Sequence, residues 1–168
     1  TGCPVIFRLS MAKLMLSALC ILLSGHPVSA QEAKRWALII GISDYASAEP
    51  LRYAASDARS FARFLESPRG GDLDSEQIIL LLEEDASRFG IFAHFEKLQD
   101  LVGPDDTVYV FLAGHGYVNR RGIGYFVPSD GDLDLLAPTS VPFTFLKELV
   151  ELGLGHVTQR VLITDLCH

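Results

Sequence analysis

Four short, nearly continuous apolar runs, separated by amphipathic stretches, constrain the fold of this chain more than any other feature. They are Trp36–Ile42 (WALIIGI), Gln77–Leu82 (QIILLL), Thr107–Ala113 (TVYVFLA) and Arg160–Leu166 (RVLITDL), each bounded by turn residues or charges. A strand wetted on one face alternates apolar and polar residues. A run that is apolar throughout needs cover on both faces, as in a parallel sheet between helix layers. The intervening segments supply the helices. Leu51–Ser67 carries Leu51, Ala54, Ala55, Ala58, Phe61, Ala62 and Leu65 at three- and four-residue steps, and Pro68 with Gly70-Gly71 ends it. Ser87–Val102 carries Ile91, Phe92, Phe95, Leu98 and Val102 and stops at Gly103-Pro104, while Thr144–Leu152 forms a shorter helix ending at Gly153.

The order β-α-β-α-β-loop-α-β predicts an α/β fold: an open, mostly parallel sheet flanked by helices on both faces, three layers deep. The longest irregular stretch, Gly114 to about Val141, follows a central strand, where loops of that length usually carry function. Within it Gly124–Pro128 (GYFVP) predicts a short extra strand.

The ends of the chain read differently from its middle. Met11–Ala30 has the pattern of a signal peptide: Lys13, a ten-residue apolar stretch Leu14–Leu23, and Val28-Ser29-Ala30 as a cleavage site. Ten residues make a helix of about 15 Å, half of a bilayer core, so no permanent membrane span is expected. Residues 1–10 then form an upstream stub without a fold role. The expected destination is export, to a periplasm or to the outside. The sequence stops at Cys167-His168, directly after the fourth apolar run, so we expect residues 31–168 to be the first part of a larger domain, truncated after its fourth main strand.

Charge and cysteine content narrow the functional classes. The chain holds 14 basic and 21 acidic residues, net −7, which excludes a nucleic-acid binder relying on bulk positive charge. Loss of the first thirty residues takes Arg8 and Lys13 and makes the balance more acidic. Three cysteines exclude a disulfide-dense scaffold. Without Cys3 and Cys20 only Cys167 remains, and an exported protein with one unpaired thiol is flagged for a reactive role or an intermolecular pair.

In open α/β sheets, sites form beyond the carboxyl ends of the strands. The third run leads into Ala113-Gly114-His115-Gly116, read as a sharp turn that leaves the imidazole uncrowded, and the fourth into Asp165-Leu166-Cys167-His168. Adjacent strands lie about 4.8 Å apart, so a thiol on one and an imidazole on the next can meet as nucleophile and base.

The first strand, the LRYAASDA segment at 51–58, the AGHG stretch, GYFVPSD and the terminal TDLCH together resemble the caspase family, closest to its bacterial and metacaspase-like members. A His roughly 50 residues before the Cys is itself a recognised caspase signature. The resemblance covers Arg35–His168. It implies a cysteine endopeptidase in which Cys167 is the nucleophile, His115 the general base and acid, and the backbone N–H groups of Gly116 and Cys167 the oxyanion hole. It also matches Asp57 and Asp165 to the two metacaspase acids of the primary specificity pocket. Paired carboxylates favour a cation between them, so cleavage after Arg or Lys of protein or peptide substrates is expected.

The sequence also departs from the family. Ala113 stands where many metacaspases have Ser, and Arg52 lies near a position where caspases proper use arginine to read acidic substrates. The dyad requires no cofactor. Asp130 is at the distance of a calcium ligand, but no acidic pair follows it; Asp132 and Asp134 read as solvated loop acids. The family continues beyond Cys-His with a C-terminal segment completing the cleft, so the 168 residues alone are expected to be inactive. The alternative is a non-catalytic caspase-like module that binds or regulates a partner. His94 and His156 are assigned no ligand role, and His168 beside Cys167 lacks the companions of a zinc cluster.

Overall fold

The apolar runs do become the sheet. A computed structural model describes residues 32–167 of the chain; residues 1–31, which hold the expected stub and signal peptide with Cys3 and Cys20, and His168 lie outside the described residues. Strands β1 (Arg35–Gly41), β2 (Ile78–Leu82), β3 (Thr107–Val118) and β6 (Gln159–Cys167) lie parallel in the order β2-β1-β3-β6. Two short antiparallel strands, β4 (Gly124–Phe126) and β5 (Val141–Pro142), continue from the far end of β3. The GYF segment is thus the extra strand the sequence predicts.

Alternation along β1 explains why its sequence has no polar face. Leu38, Ile40 and Ile42 join one buried cluster, whereas Ala37 and Ile39 join another on the opposite side. Each fully covered aliphatic side chain contributes about 1.5–3 kcal/mol of transfer free energy. The first cluster is closed by Ile91, Phe95 and Leu98 of helix α2 (Arg88–Leu101). Leu146, Val150 and Leu154 complete it, from helix α4 (Phe143–Glu148), the π-type turn Leu149–Gly153 that continues it, and the residue after. The second cluster is closed by helix α1 (Ala54–Glu66), which buries Ala54, Ala55, Ala58, Ala62 and Leu65. A short helix α3 (Leu136–Thr139) lies between β4 and β5. The result is the three-layer α/β/α arrangement expected from the alternating pattern.

Small residues on α1 let it close on the sheet. A Cβ at Gly41 would sit 2.4 Å from the Ala58 Cβ and 2.9 Å from the Ala54 carbonyl oxygen, so only glycine fits there. The helix begins at Ala54 and not at Leu51, because Ser43, in the loop after β1, organises its entry. Its carbonyl accepts the Leu51 N–H at 2.8 Å and its hydroxyl accepts the Ala55 N–H at 3.0 Å. Helix α2 is capped twice: the Ser87 hydroxyl accepts the Gly90 N–H at 3.1 Å and Asp130 accepts the Arg88 N–H at 2.7 Å.

One expectation is corrected. Gly114-His115-Gly116 is not a turn: β3 runs unbroken to Val118, and neither glycine takes a positive φ. Gly114 is required by close approach, since a Cβ there would lie 2.6 Å from the Tyr45 hydroxyl oxygen and 3.2 Å from Phe126.

At the opposite end of β1, Asp106 ties three segments together. It is buried, and accepts the Lys34 N–H at 2.7 Å, the Trp36 indole N–H at 2.9 Å and the Gly103 N–H at 2.8 Å. Among the parallel strands β6 pairs only with β3, and Val161 and Leu162 on it are exposed. Among the described residues no helix is long and apolar enough to cross a membrane.

Candidate active site

The carboxyl ends of β3 and β6 converge on the two residues singled out for nucleophilic chemistry. The parallel register pairs Thr107 with Gln159 and continues without slippage to Ala113 with Asp165 and His115 with Cys167. The backbone therefore sets the imidazole-bearing and thiol-bearing residues side by side on neighbouring strands. Register is strongly specified here because β3 is buried along most of its length.

His115 is half-buried and is held by two anchors. Its Nε2 lies 2.8 Å from the Glu49 carbonyl oxygen. A carbonyl can only accept, so Nε2 carries hydrogen, and in the neutral ring Nδ1 is the free base nitrogen. Its backbone N–H donates to the Tyr45 hydroxyl at 2.8 Å, and the Tyr45 ring lies 4.8 Å from the imidazole centroid to centroid. The His115 carbonyl accepts the Val127 N–H at 3.0 Å on the β4 side. Alternation along the strand then turns the next N–H, that of Gly116, toward the β6 side.

Asp57 and Asp165, 108 positions apart in sequence, line one cleft of about 200 Å³ together with Leu51, Arg52, Tyr53, Ala54 and Gly114. Both carboxylates are exposed. The Arg52 guanidinium sits over the Tyr53 ring at 5.9 Å. A second hollow of about 250 Å³, mostly apolar, is lined by Ala48, Glu49, His115, Gly116, Tyr117 and Leu133.

The remaining candidates have local duties. Asp130 caps α2, and Asp132 accepts the Asp134 N–H at 2.8 Å. Asp130 borders a hollow of about 470 Å³ with Asp44, Glu83 and Glu84, yet among the described residues no group of three His, Cys, Asp or Glu side chains could hold a metal ion. His94 bonds the Gly90 carbonyl at 2.8 Å and His156 faces the Val102 carbonyl at 3.2 Å.

Sequence reasoning missed Tyr45, Glu49 and Glu83. Tyr45 and Glu49 sit in an irregular loop whose contacts with His115 span 70 and 66 positions, so no local periodicity marks them.

Compared with known proteins, residues 34–168 match the caspase domain. The fold is similar to that of a structural-genomics crystal structure of a Geobacter sulfurreducens protein, with a TM-score of 0.59 and 20% identity. The match covers 80% of this chain and 51% of that one, so the chain spans about half the length of that neighbour. No curated protein matches the chain.

Proposed function

The chain belongs to the caspase-domain family, a peptidase-type family acting on proteins, and from that premise we propose that it is part of a cysteine endopeptidase with His115 and Cys167 as its dyad. The observation that carries the proposal is the parallel β3–β6 register, which pairs these two residues at the carboxyl ends of their strands. Because the chain spans 51% of its structural neighbour, the activity is assigned to the whole protein.

In this mechanism the Cys167 thiol gives its proton to Nδ1 of His115, and the thiolate attacks the scissile carbonyl. A C–S bond forms and the carbonyl π electrons move to oxygen. The resemblance assigns the Gly116 and Cys167 N–H groups to that oxyanion; losing one such donor costs about 2.7–4 kcal/mol. The imidazolium, tied at Nε2 to Glu49, passes its Nδ1 proton to the leaving amine as the C–N bond breaks. Water, deprotonated by His115, then hydrolyses the thioester and regenerates the thiol.

The cleft shared by Asp57 and Asp165 supports a basic residue before the scissile bond. Arg52 lines the same cleft beside the Tyr53 ring, but two carboxylates outnumber its one cation, so the cleft keeps a net negative charge. With fluorogenic peptides differing only at that residue, Arg and Lys should be cleaved about 10–100-fold faster than Asp, and Asp165→Ala should remove most of the difference. Preference for Asp would transfer specificity to Arg52 and overturn the two-carboxylate pocket. Residues 11–30 support export of the mature peptidase.

A further inference from the structure

The strands beside β3 leave one backbone donor to be satisfied by a side chain. On one side of β3, β1 runs up to Gly41 opposite Ala113, and the Ile42 N–H donates to the Ala113 carbonyl at 3.0 Å. On the same side β4 takes over at Gly116, opposite Phe126. His115 falls in the gap between them. Its carbonyl is taken by the Val127 N–H, but the reciprocal bond of a continuing ladder is replaced: the His115 N–H goes to the Tyr45 hydroxyl at 2.8 Å. The same side chain lays its ring against the imidazole at 4.8 Å, tilted by 50°. Gly114 provides the space, because a Cβ there would meet the Tyr45 hydroxyl at 2.6 Å.

Tyr45 is itself held from both ends. Its ring packs beside the two clusters that contain Phe126 and Val127. Its loop is pinned by Glu83, one carboxylate oxygen of which accepts the Ser43 N–H at 2.9 Å and the Asp44 N–H at 2.8 Å. Glu83 does this from a left-handed backbone conformation, φ 48°, that non-glycine residues seldom adopt. Burial pushes the Tyr45 hydroxyl up to about 12, with the His115 N–H opposing and the Glu83 charge adding, so it remains a neutral phenol at ordinary pH.

We propose that Tyr45, anchored through Glu83, is the positioning residue that holds the His115 imidazole in the orientation needed for proton transfer. The inference rests on the His115–Cys167 reading. The Glu49 carbonyl fixes the far edge of the ring; Tyr45 fixes the backbone from which the ring hangs and one of its faces. Removing either anchor leaves the ring attached to the protein but free to tilt.

The test uses the full-length protein and an arginyl peptide. Tyr45→Phe keeps the ring and loses the hydroxyl. Its kcat should fall about 10-fold with KM unchanged, because proton transfer depends steeply on sub-ångström placement while the substrate cleft is untouched. The imidazole ¹⁵N signals of His115 should shift from the Nε2–H form toward a mixture of tautomers. A wild-type kcat, or a loss confined to KM, overturns the proposal. If thermal melting shows that Tyr45→Phe does not fold, Glu83→Gln carries the test: kcat should drop about threefold in a folded protein, and an unchanged kcat overturns the proposal. Cys167→Ala separates the layers. If it abolishes turnover while a folded Tyr45→Phe is silent, positioning by Tyr45 fails alone. If it leaves turnover intact, the dyad fails and the positioning role with it.

Discussion

Replacing His115 by alanine is expected to lower kcat/KM of the full-length protein by about 10²–10⁴-fold, the range that a positioned general acid–base supplies. The loss comes from two steps. Without Nδ1 the Cys167 thiol has no acceptor for its proton, and the leaving amine has no donor. Neither Glu49 nor Tyr45 can substitute: the Glu49 contact is a backbone carbonyl, and the Tyr45 hydroxyl is held protonated by burial. The fold should survive, because the imidazole is half-exposed and its backbone N–H, the group bonded to Tyr45, is retained. Steady-state kinetics alongside a thermal melt separates the two effects. Turnover within about tenfold of wild type would remove His115 from the chemistry.

The second large effect concerns stability at the opposite end of the sheet. Asp106 is buried and accepts three N–H donors, from Lys34, Trp36 and Gly103, joining the start of β1 to the turn between α2 and β3. Asp106→Ala should destabilise by about 3 kcal/mol, since the buried Trp36 indole loses a charged acceptor and two backbone donors are stranded. For a domain of this size that is a fall in Tm of about 10 °C.

Burial raises the Asp106 pKa, but the Gly103 and Lys34 N–H groups, the Trp36 indole and the nearby Lys34 charge together hold it below the usual carboxylate range. The sign follows from linkage: the carboxylate contributes its full stability above the unfolded pKa of about 4, and the contribution is lost as pH falls through the lower folded value. Thermal melts at descending pH should therefore show a steeper acid loss for wild type than for Asp106→Ala. Equal slopes would mean that Asp106 is not the titrating anchor. Because the residue is remote from His115, kcat per folded molecule should not change.

The central strands β1 and β3 were legible for a physical reason: both faces of each are covered, so the code is uninterrupted hydrophobicity, as in Leu38, Ile39 and Ile40, whereas β6 carries the same apolar code with Val161 and Leu162 exposed. The inward stripes of α1 and α2 were legible through their helical period. The continuation of β3 through Gly114-His115-Gly116 was not. Two glycines beside a histidine read as a turn, whereas here Gly114 makes room for the Tyr45 hydroxyl and Phe126. Local sequence records that a side chain is absent but not which neighbour fills the space. The pairing of Asp57 with Asp165 in one cleft could be anticipated only through the family resemblance. Tyr45 and Asp106 were invisible altogether, because each is defined by partners about 70 positions away.

The most direct test of the His115–Cys167 site is to treat the full-length protein with a peptidyl chloromethyl ketone ending in arginine and to locate the adduct by mass spectrometry. The predicted result is a single thioether on Cys167, formed about 100-fold more slowly in His115→Ala, where no base assists the thiol. An adduct on another residue, or none in a preparation that cleaves arginyl peptides, would rule out Cys167 as the nucleophile.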